Sequence, residues 1–421
     1  MQRRQVINLL GCFAGTIVSS RLGFASILPS LQQANAESFA GTGPASHTDK
    51  TIRLFLCGDV MTGRGIDQIL PHPSQPRIYE SFMHSAEDYV LLAEGVYGPI
   101  SQPVSFDYIW GDALPQLQLF NPDVSFINLE TSVTTSDDYW QGKGINYRMH
   151  PKNTPCLQAL GINACSLANN HVLDWGYAGL TDTLNALTKA GIQTTGAGHD
   201  RQQAAQPAIL SLPQKGRVIT FGLCTQSSGV PRDWAATPQK AGVYLVDEWN
   251  LGWLGEFSNR VQALKQPEDI VICSIHWGGN WGYKIPDNRR ALAHRLIDEA
   301  RVDIVHGHSS HHALGIERYR GRLILYGCGD FINDYEGIAG YEQFRGDLPL
   351  LYQIRFDPAQ HRLLDLTMLP MHIKRMRLNS IRPKDLHWLH ATLDRESRYL
   401  GSRVKLTKDN RIRLIPSELI N

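Results

Sequence analysis

Four imidazoles stand within seven residues, at His306, His308, His311 and His312, directly after the apolar run Asp303-Ile304-Val305. Such a run reads as a buried strand, and strand ends are where α/β folds build their sites. Neutral imidazole is the commonest protein metal ligand. If this segment supplies ligands, other strand ends should supply the rest, and they carry matching chemistry. Ile52 to Cys57 runs into Gly58-Asp59. Asp123 to Glu130 presents Asn128 and Glu130, two apart and so on one face of a strand. Ala164 to Leu167 leads into Asn169-Asn170-His171, and Ile270 to Ile275 into His276-Trp277-Gly278. Carboxylate, amide oxygen and imidazole together suit Zn, Mn or Fe rather than a thiolate site. A two-metal site holds its ions about 3.5–4 Å apart, bridged by a carboxylate and a water. That water is acidified, and the ions neutralise charge developing on a phosphoryl or acyl oxygen.

Each of these residues also has a structural reading. Asp59 suits the N-cap of a following helix. The histidine-rich turn can hydrogen-bond its own backbone, and His306 and His312 fit a supporting role better than a ligand role. Asp174 and Gly176 suit the start of a helix from Tyr177. Trp277 and Trp281 read as platform aromatics or as core. Arg64 divides between substrate contact and salt bridge.

The elements that position these residues alternate as β-α-β-α. Helices are expected from about Leu114 to the turn at Asn121-Pro122, and over Thr154 to Leu160. Further helices are expected over Tyr177 to Ala190, Leu251 to Leu264, Asn288 to Ala300 and Asp385 to Tyr399. Hairpins are expected around Lys215-Gly216 and Arg320-Gly321. Strands are expected over Leu350 to Phe356, Leu363 to Leu369 and Arg411 to Ile415, with a basic strand at Ile373 to Arg377. The apolar runs are short and continuous, which argues for buried sheets covered by helices; the hairpins argue for mixed sheets. Residues 51–347 carry the chemical motifs, and residues 348–421 read as a structural extension that closes the fold.

The chain has 421 residues, and its formal charge is +1. That length buries a full core. The near-neutral balance, with no concentrated basic face, gives no electrostatic case for a nucleic-acid binder, and none is expected. Residues 1–36 read as an export signal. Arg3-Arg4 precede a weakly apolar stretch from Val6 to Leu28, and Ala34-Asn35-Ala36 offers a cleavage site. The pattern resembles a twin-arginine signal, with an ordinary secretory signal or an uncleaved anchor as the alternatives, and the mature chain is expected in the periplasm or cell envelope. Residues 37–50 read as a linker. Seven cysteines are present. Cys57, Cys224, Cys273 and Cys328 sit in apolar runs and are expected as buried free thiols.

Five segments in order resemble the bacterial capsule-synthesis CapA family, which is linked to poly-γ-glutamate production. They are GDVMTGR (Gly58 to Arg64), NLE (Asn128 to Glu130), ANNHVLDWGYAGL (Ala168 to Leu180), HWG (His276 to Gly278) and GHSSH (Gly307 to His311). The resemblance implies an α/β, metallophosphatase-like sandwich of two mixed sheets flanked by helices, similar to calcineurin-like phosphoesterases. It implies one or two divalent metal ions. Asp59 would be a terminal ligand of one metal and Glu130 the bridging carboxylate. Asn170, His276 and His308 would hold the second metal, and His311 would close the first. His171 would act as general acid or transition-state donor. Arg64 would grip an anionic group, since its planar fork matches carboxylate and phosphate. The chain departs from the phosphoesterase pattern at Met61, where a histidine is usual, and at Glu130, where aspartate is. Ser309-Ser310 replace the middle of the family's GHHPH, and Asp330 stands where Asn is usual, adding a ligand or supporting acid.

Two functions follow as expectations. One is a metal-dependent hydrolase or transferase acting on poly-γ-glutamate, a cell-wall peptide or a phosphoester. The other is a non-catalytic component that binds an anionic polymer or capsule-synthesis membrane proteins.

Overall fold

A computed structural model describes residues 50–416. The expected export signal lies outside these residues, as does the expected linker apart from Lys50. The described residues belong to one compact unit.

The strand Ile52–Val60 sets the architecture, because alternate side chains on it feed two different cores. Ile52, Leu54 and Leu56 point into one core and Phe55, Cys57 and Val60 into another. Parallel to it run Val124–Leu129, Ala164–Ser166 and Gln193–Thr195. On its other side lies Leu350–Asp357, antiparallel, followed by Arg362–Ile373, Ile412–Leu414 and Val404–Leu406. Residues beyond 347 therefore supply half of this sheet rather than standing apart from it.

The second sheet has the order Ile316–Tyr319, Arg322–Leu325, Ile304–His308, Ile270–His276, Gly216–Cys224 and Ala208–Leu212. Its four middle strands are parallel, and hairpins close both edges. The hairpin Ile316–Leu325 turns through Arg320 and Gly321, both at positive φ, the twist a tight β-turn needs.

The two sheets face each other across one apolar layer. Leu54, Leu56 and Phe126 from the first meet Val218, Ile272 and Ile304 from the second. The Phe126 ring stands edge-on to His306, with centroids 5.9 Å apart. Burying such a ring contributes about 1.5–3 kcal/mol. Helices Glu87–Tyr97, Ala113–Phe120 and Gly176–Lys189 cover the outer face of the first sheet. Helices Leu254–Leu264 and Asp287–Asp298 cover the second. Helix Pro383–Arg398 seals one end of the inter-sheet core with Leu386, Leu389 and Leu393. This is the sandwich of two mixed sheets flanked by helices that the sequence leads one to expect. Among the described residues, no helix is long and apolar enough to cross a membrane.

One element differs from expectation. Ile373–Arg377 is not a strand. The strand ends at Ile373, and the chain reverses through Arg375 and Met376, both at positive φ, into Leu378–Ser380. The buried Glu336 carboxylate explains the turn, since it accepts the backbone N–H groups of Arg375 and Met376 at 2.6 and 2.5 Å.

Candidate metal centre

Parallel strands in register bring their C-terminal ends to one level. Asp59 lies opposite Asn128 on one side and opposite Asp330 on the other. In the second sheet His276 lies opposite His308. The two sheets are pinned together behind the site, where His306 Nε2 sits 2.7 Å from the Cys57 carbonyl oxygen.

Two groups of ligand atoms result. Asp59, His276 and His308 form one, and Asp59, His311 and Asp330 the other; within each, the atoms lie within 4.8 Å of one another. The Asp59 carboxylate is common to both. Its Oδ1 accepts from Asn128 Nδ2 at 2.7 Å, and its Oδ2 from the backbone N–H of Ser309 at 3.0 Å. The same Asn128 amide donates to Glu130 Oε2 at 3.3 Å. Glu130 Oε1 lies 3.8 Å from His276 Nε2 and 3.7 Å from His171 Nε2. Asn170 Oδ1 lies 3.0 Å from His276 Nε2, and the Nδ1 atoms of His276 and His308 are 2.8 Å apart. Asp59, Glu130, Asn170, His276, His308 and His311 therefore lie side by side.

The donor set fits a cation. Burial, then the neighbouring imidazoles, hold His276 and His308 well below the usual histidine value, so both keep their lone pairs. Burial, then Asp330, pushes Asp59 up to about 7; burial, then Asp59 and Asp330, pushes Glu130 well up. Buried carboxylates crowded in this way need a positive charge among them to ionise together. On this geometry Asp59 has the shared position and Glu130 flanks the His276 side, whereas the resemblance implies the reverse division between terminal and bridging roles.

Supporting contacts fix the ligands. His311 Nδ1 sits 2.8 Å from Asp330 Oδ1, and Asn333 Nδ2 donates to the other Asp330 oxygen at 2.6 Å. Ser274 Oγ lies 2.8 Å from His308 Nε2 and 3.1 Å from His306 Nδ1. His306 and His312 both act structurally. His312 Nε2 accepts the Gly282 N–H, and its ring stacks on Trp281.

His171 stands beside the cluster with Nδ1 2.7 Å from Asp174 Oδ2. Lys143 Nζ completes the group, 3.3 Å from His171 Nδ1 and 3.0 Å from Asp174 Oδ1. Asp174 makes no cap to the helix Gly176–Lys189; it accepts the Tyr147 N–H at 2.7 Å and orients His171. The reading of Asp174 as a helix start is thereby corrected, because the loop turns its carboxylate back towards the imidazole. Asp59 is likewise no N-cap, since it is still on its strand and the next helix begins at Gly65.

Arg64 is buried and fully engaged. Its Nε donates to Asp334 at 2.8 Å and its Nη1 to Glu80 at 3.1 Å, with the guanidinium 3.6 Å from the Tyr89 ring centroid. Its rim faces a cavity of about 590 Å³ that also reaches His311 and Asn333. Trp277 is core, donating to the Tyr326 carbonyl at 2.9 Å, while Trp281 stacks on Tyr341 in the cavity wall. Sequence reasoning did not single out Lys143, Asn333 or Asp334. The last two follow Asp330 by three and four positions, a signal open to reading; Lys143 stands in a loop with none.

Fold and site together define an α/β sandwich with a candidate metal centre at its parallel strand ends. The family profile described as "Bacterial capsule synthesis protein PGA_cap" matches residues 53–335, and the chain belongs to that family. A Mycobacterium tuberculosis protein named "Probable polyglutamine synthesis accessory protein" is 48% identical over 367 residues, covering 87% of this chain and 96% of its own. The Bacillus subtilis "PGA biosynthesis protein CapA" is 26% identical over 311 residues, covering 74% and 70%. A solved Mycoplasma pneumoniae structure described as a novel phosphatase aligns with 80% of this chain and 96% of its own. Its identity is 12% and its TM-score 0.42, too slight a likeness to bear on activity.

Proposed function

We propose that this chain is a cell-envelope accessory of poly-γ-glutamate capsule synthesis that works as a metal-dependent hydrolase or transferase. The observation that carries the reading is the sharing of Asp59 between two groups of ligand atoms. Family membership and the names of the relatives support the capsule setting.

A divalent ion held here, Mn, Zn or Fe, would supply Lewis acidity and a nucleophile at neutral pH. The chain's own residues do the rest. Burial holds His171 down at about 4, against the pull of Asp174, so the imidazole is neutral in the free enzyme. Asp174 at Nδ1 holds the single proton of the neutral ring there, which leaves the Nε2 lone pair free on the Glu130 side. At Nε2 His171 takes a proton from the attacking water or hydroxyl as general base and then returns that proton to the leaving oxygen or nitrogen. Arg64, already paired with Asp334 and Glu80, holds the cavity wall rather than offering a free fork.

The test is hydrolysis by the Mn-loaded full chain of a γ-glutamyl peptide and a generic phosphodiester, side by side. Turnover of either, abolished by EDTA and lowered about 10²–10⁴-fold by His171→Ala, supports the enzyme. Metal-bound protein that turns over neither supports the second reading, a binding component of the capsule machinery. Met61, standing in place of a histidine, is the feature that favours that reading.

A further inference from the structure

The cavity beside the metal centre has walls that do not match a polyanion. Its cations are already committed. Arg64 pairs with Asp334 and Glu80, and Arg345 with Asp347 and Asp385. The lining adds the carboxylates of Glu336 and Glu342. A γ-glutamyl polymer carries one carboxylate per residue and would meet acid there without a spare counter-charge.

The apolar side of the cavity is conspicuous. Phe82, Val96, Ile338 and Tyr341 all line it, yet they are 64%, 53%, 41% and 48% exposed. Large apolar side chains gathered around one concave opening mark a binding surface rather than ordinary scatter. Tyr341 is held flat against Trp281, with centroids 4.3 Å apart and planes 6° from parallel, so this wall is preformed. The volume of about 590 Å³ suits one substrate group rather than an extended strand. The inner end opens at His311 and Asn333, and so at the candidate metal centre.

We propose that the substrate is an amphiphile. Its anionic head reaches the ligand cluster, and an apolar chain attached to that head lies in the cavity between Val96, Ile338 and the Trp281–Tyr341 pair. The inference deepens the proposed function by naming a substrate class, and only its head-group half rests on the metal reading.

The experiment is isothermal titration of the Mn-loaded full chain with monoalkyl phosphates of four, six and eight carbons, kept below their micelle concentrations. Each added methylene tightens Kd by about two- to four-fold, the gain for a partly to fully buried CH₂. Val96→Asp and Ile338→Asp flatten that dependence while metal content stays at the wild-type level. EDTA weakens every member alike and leaves the dependence on chain length intact, so loss of the head contact and loss of the cavity contact read out separately. A Kd that does not change with chain length overturns the proposal, as does an unaltered dependence in both variants. A γ-glutamyl hexamer that displaces octyl phosphate at lower concentration than octyl phosphate itself binds would overturn it too.

Discussion

Asp59 is the residue on which both ligand groups turn, and its surroundings hold it in place at some conformational cost. The Ser309 N–H that bonds its carboxylate belongs to a residue at φ 98°, a region that favours glycine. Such strain costs on the order of 1–3 kcal/mol and persists at sites the rest of the fold over-determines. The sequence shows a serine where the family pattern has histidine; it does not show that the serine's backbone, not its hydroxyl, meets Asp59. Asp174 makes the second residue-level case. Its role depends on a loop geometry that no periodicity reports. Asp174→Asn should lower kcat about 10–100-fold, the usual effect of losing a carboxylate that orients an imidazole, with metal content unchanged. Kinetics and metal analysis on the same preparation check both halves.

At the scale of elements, strand ends must approach closely for the carboxylates to meet. A Cβ on Gly58 would lie 1.6 Å from the Gly329 carbonyl oxygen, so Gly58→Ala forces apart the segments that bear Asp59 and Asp330. The variant should lose about 1–3 kcal/mol of stability and bind metal more weakly, as urea unfolding with and without Mn would show. A second junction lies at the other end of the Ile304–His308 strand. The buried Asp303 bonds Lys265 at 2.6 Å and the Val271 N–H at 2.9 Å, with Arg322 at 3.1 Å. Burial works to raise its carboxyl, but His361, Lys265 and the Val271 N–H prevail and hold it below the usual value. A folded value below the unfolded one gives stability that is full above about pH 3.9 and is lost as pH falls through the folded value. Asp303→Asn should therefore cost about 3–5 kcal/mol at pH 7, and the gap from wild type should narrow below pH 4. Thermal unfolding across that range tests it.

Element types were legible where one face or both were apolar. Ile270–His276, Gly176–Lys189 and Pro383–Arg398 lie close to their expected positions. Helix Glu87–Tyr97 was not legible, because Leu91 and Val96 break its amphipathic pattern by pointing to solvent. The Lys374–Arg377 turn was hidden because its cause, Glu336, lies far off in sequence.

The whole molecule is a device for bringing distant positions to one level. Parallel strands in two sheets, locked by a common apolar layer, carry Asp59, Glu130, His276 and His308 to the same end. The order of strand-end motifs made that convergence readable. The division of roles was not readable, because whether Asp59 or Glu130 holds the shared position depends on side-chain packing. Bound metal should also stabilise the fold by mass action, about 2.7 kcal/mol at a hundredfold excess over Kd. Chelation should lower the thermal midpoint by several degrees, and Mn should restore it.

The most direct measurement is metal stoichiometry by mass spectrometry on wild type, His276→Ala, His311→Ala and Asp59→Asn, each dialysed against Mn. The shared position of Asp59 predicts two ions per chain in wild type, one in each histidine variant and none in Asp59→Asn. Wild-type stoichiometry in Asp59→Asn, or a folded wild-type chain that takes up no metal, would contradict it.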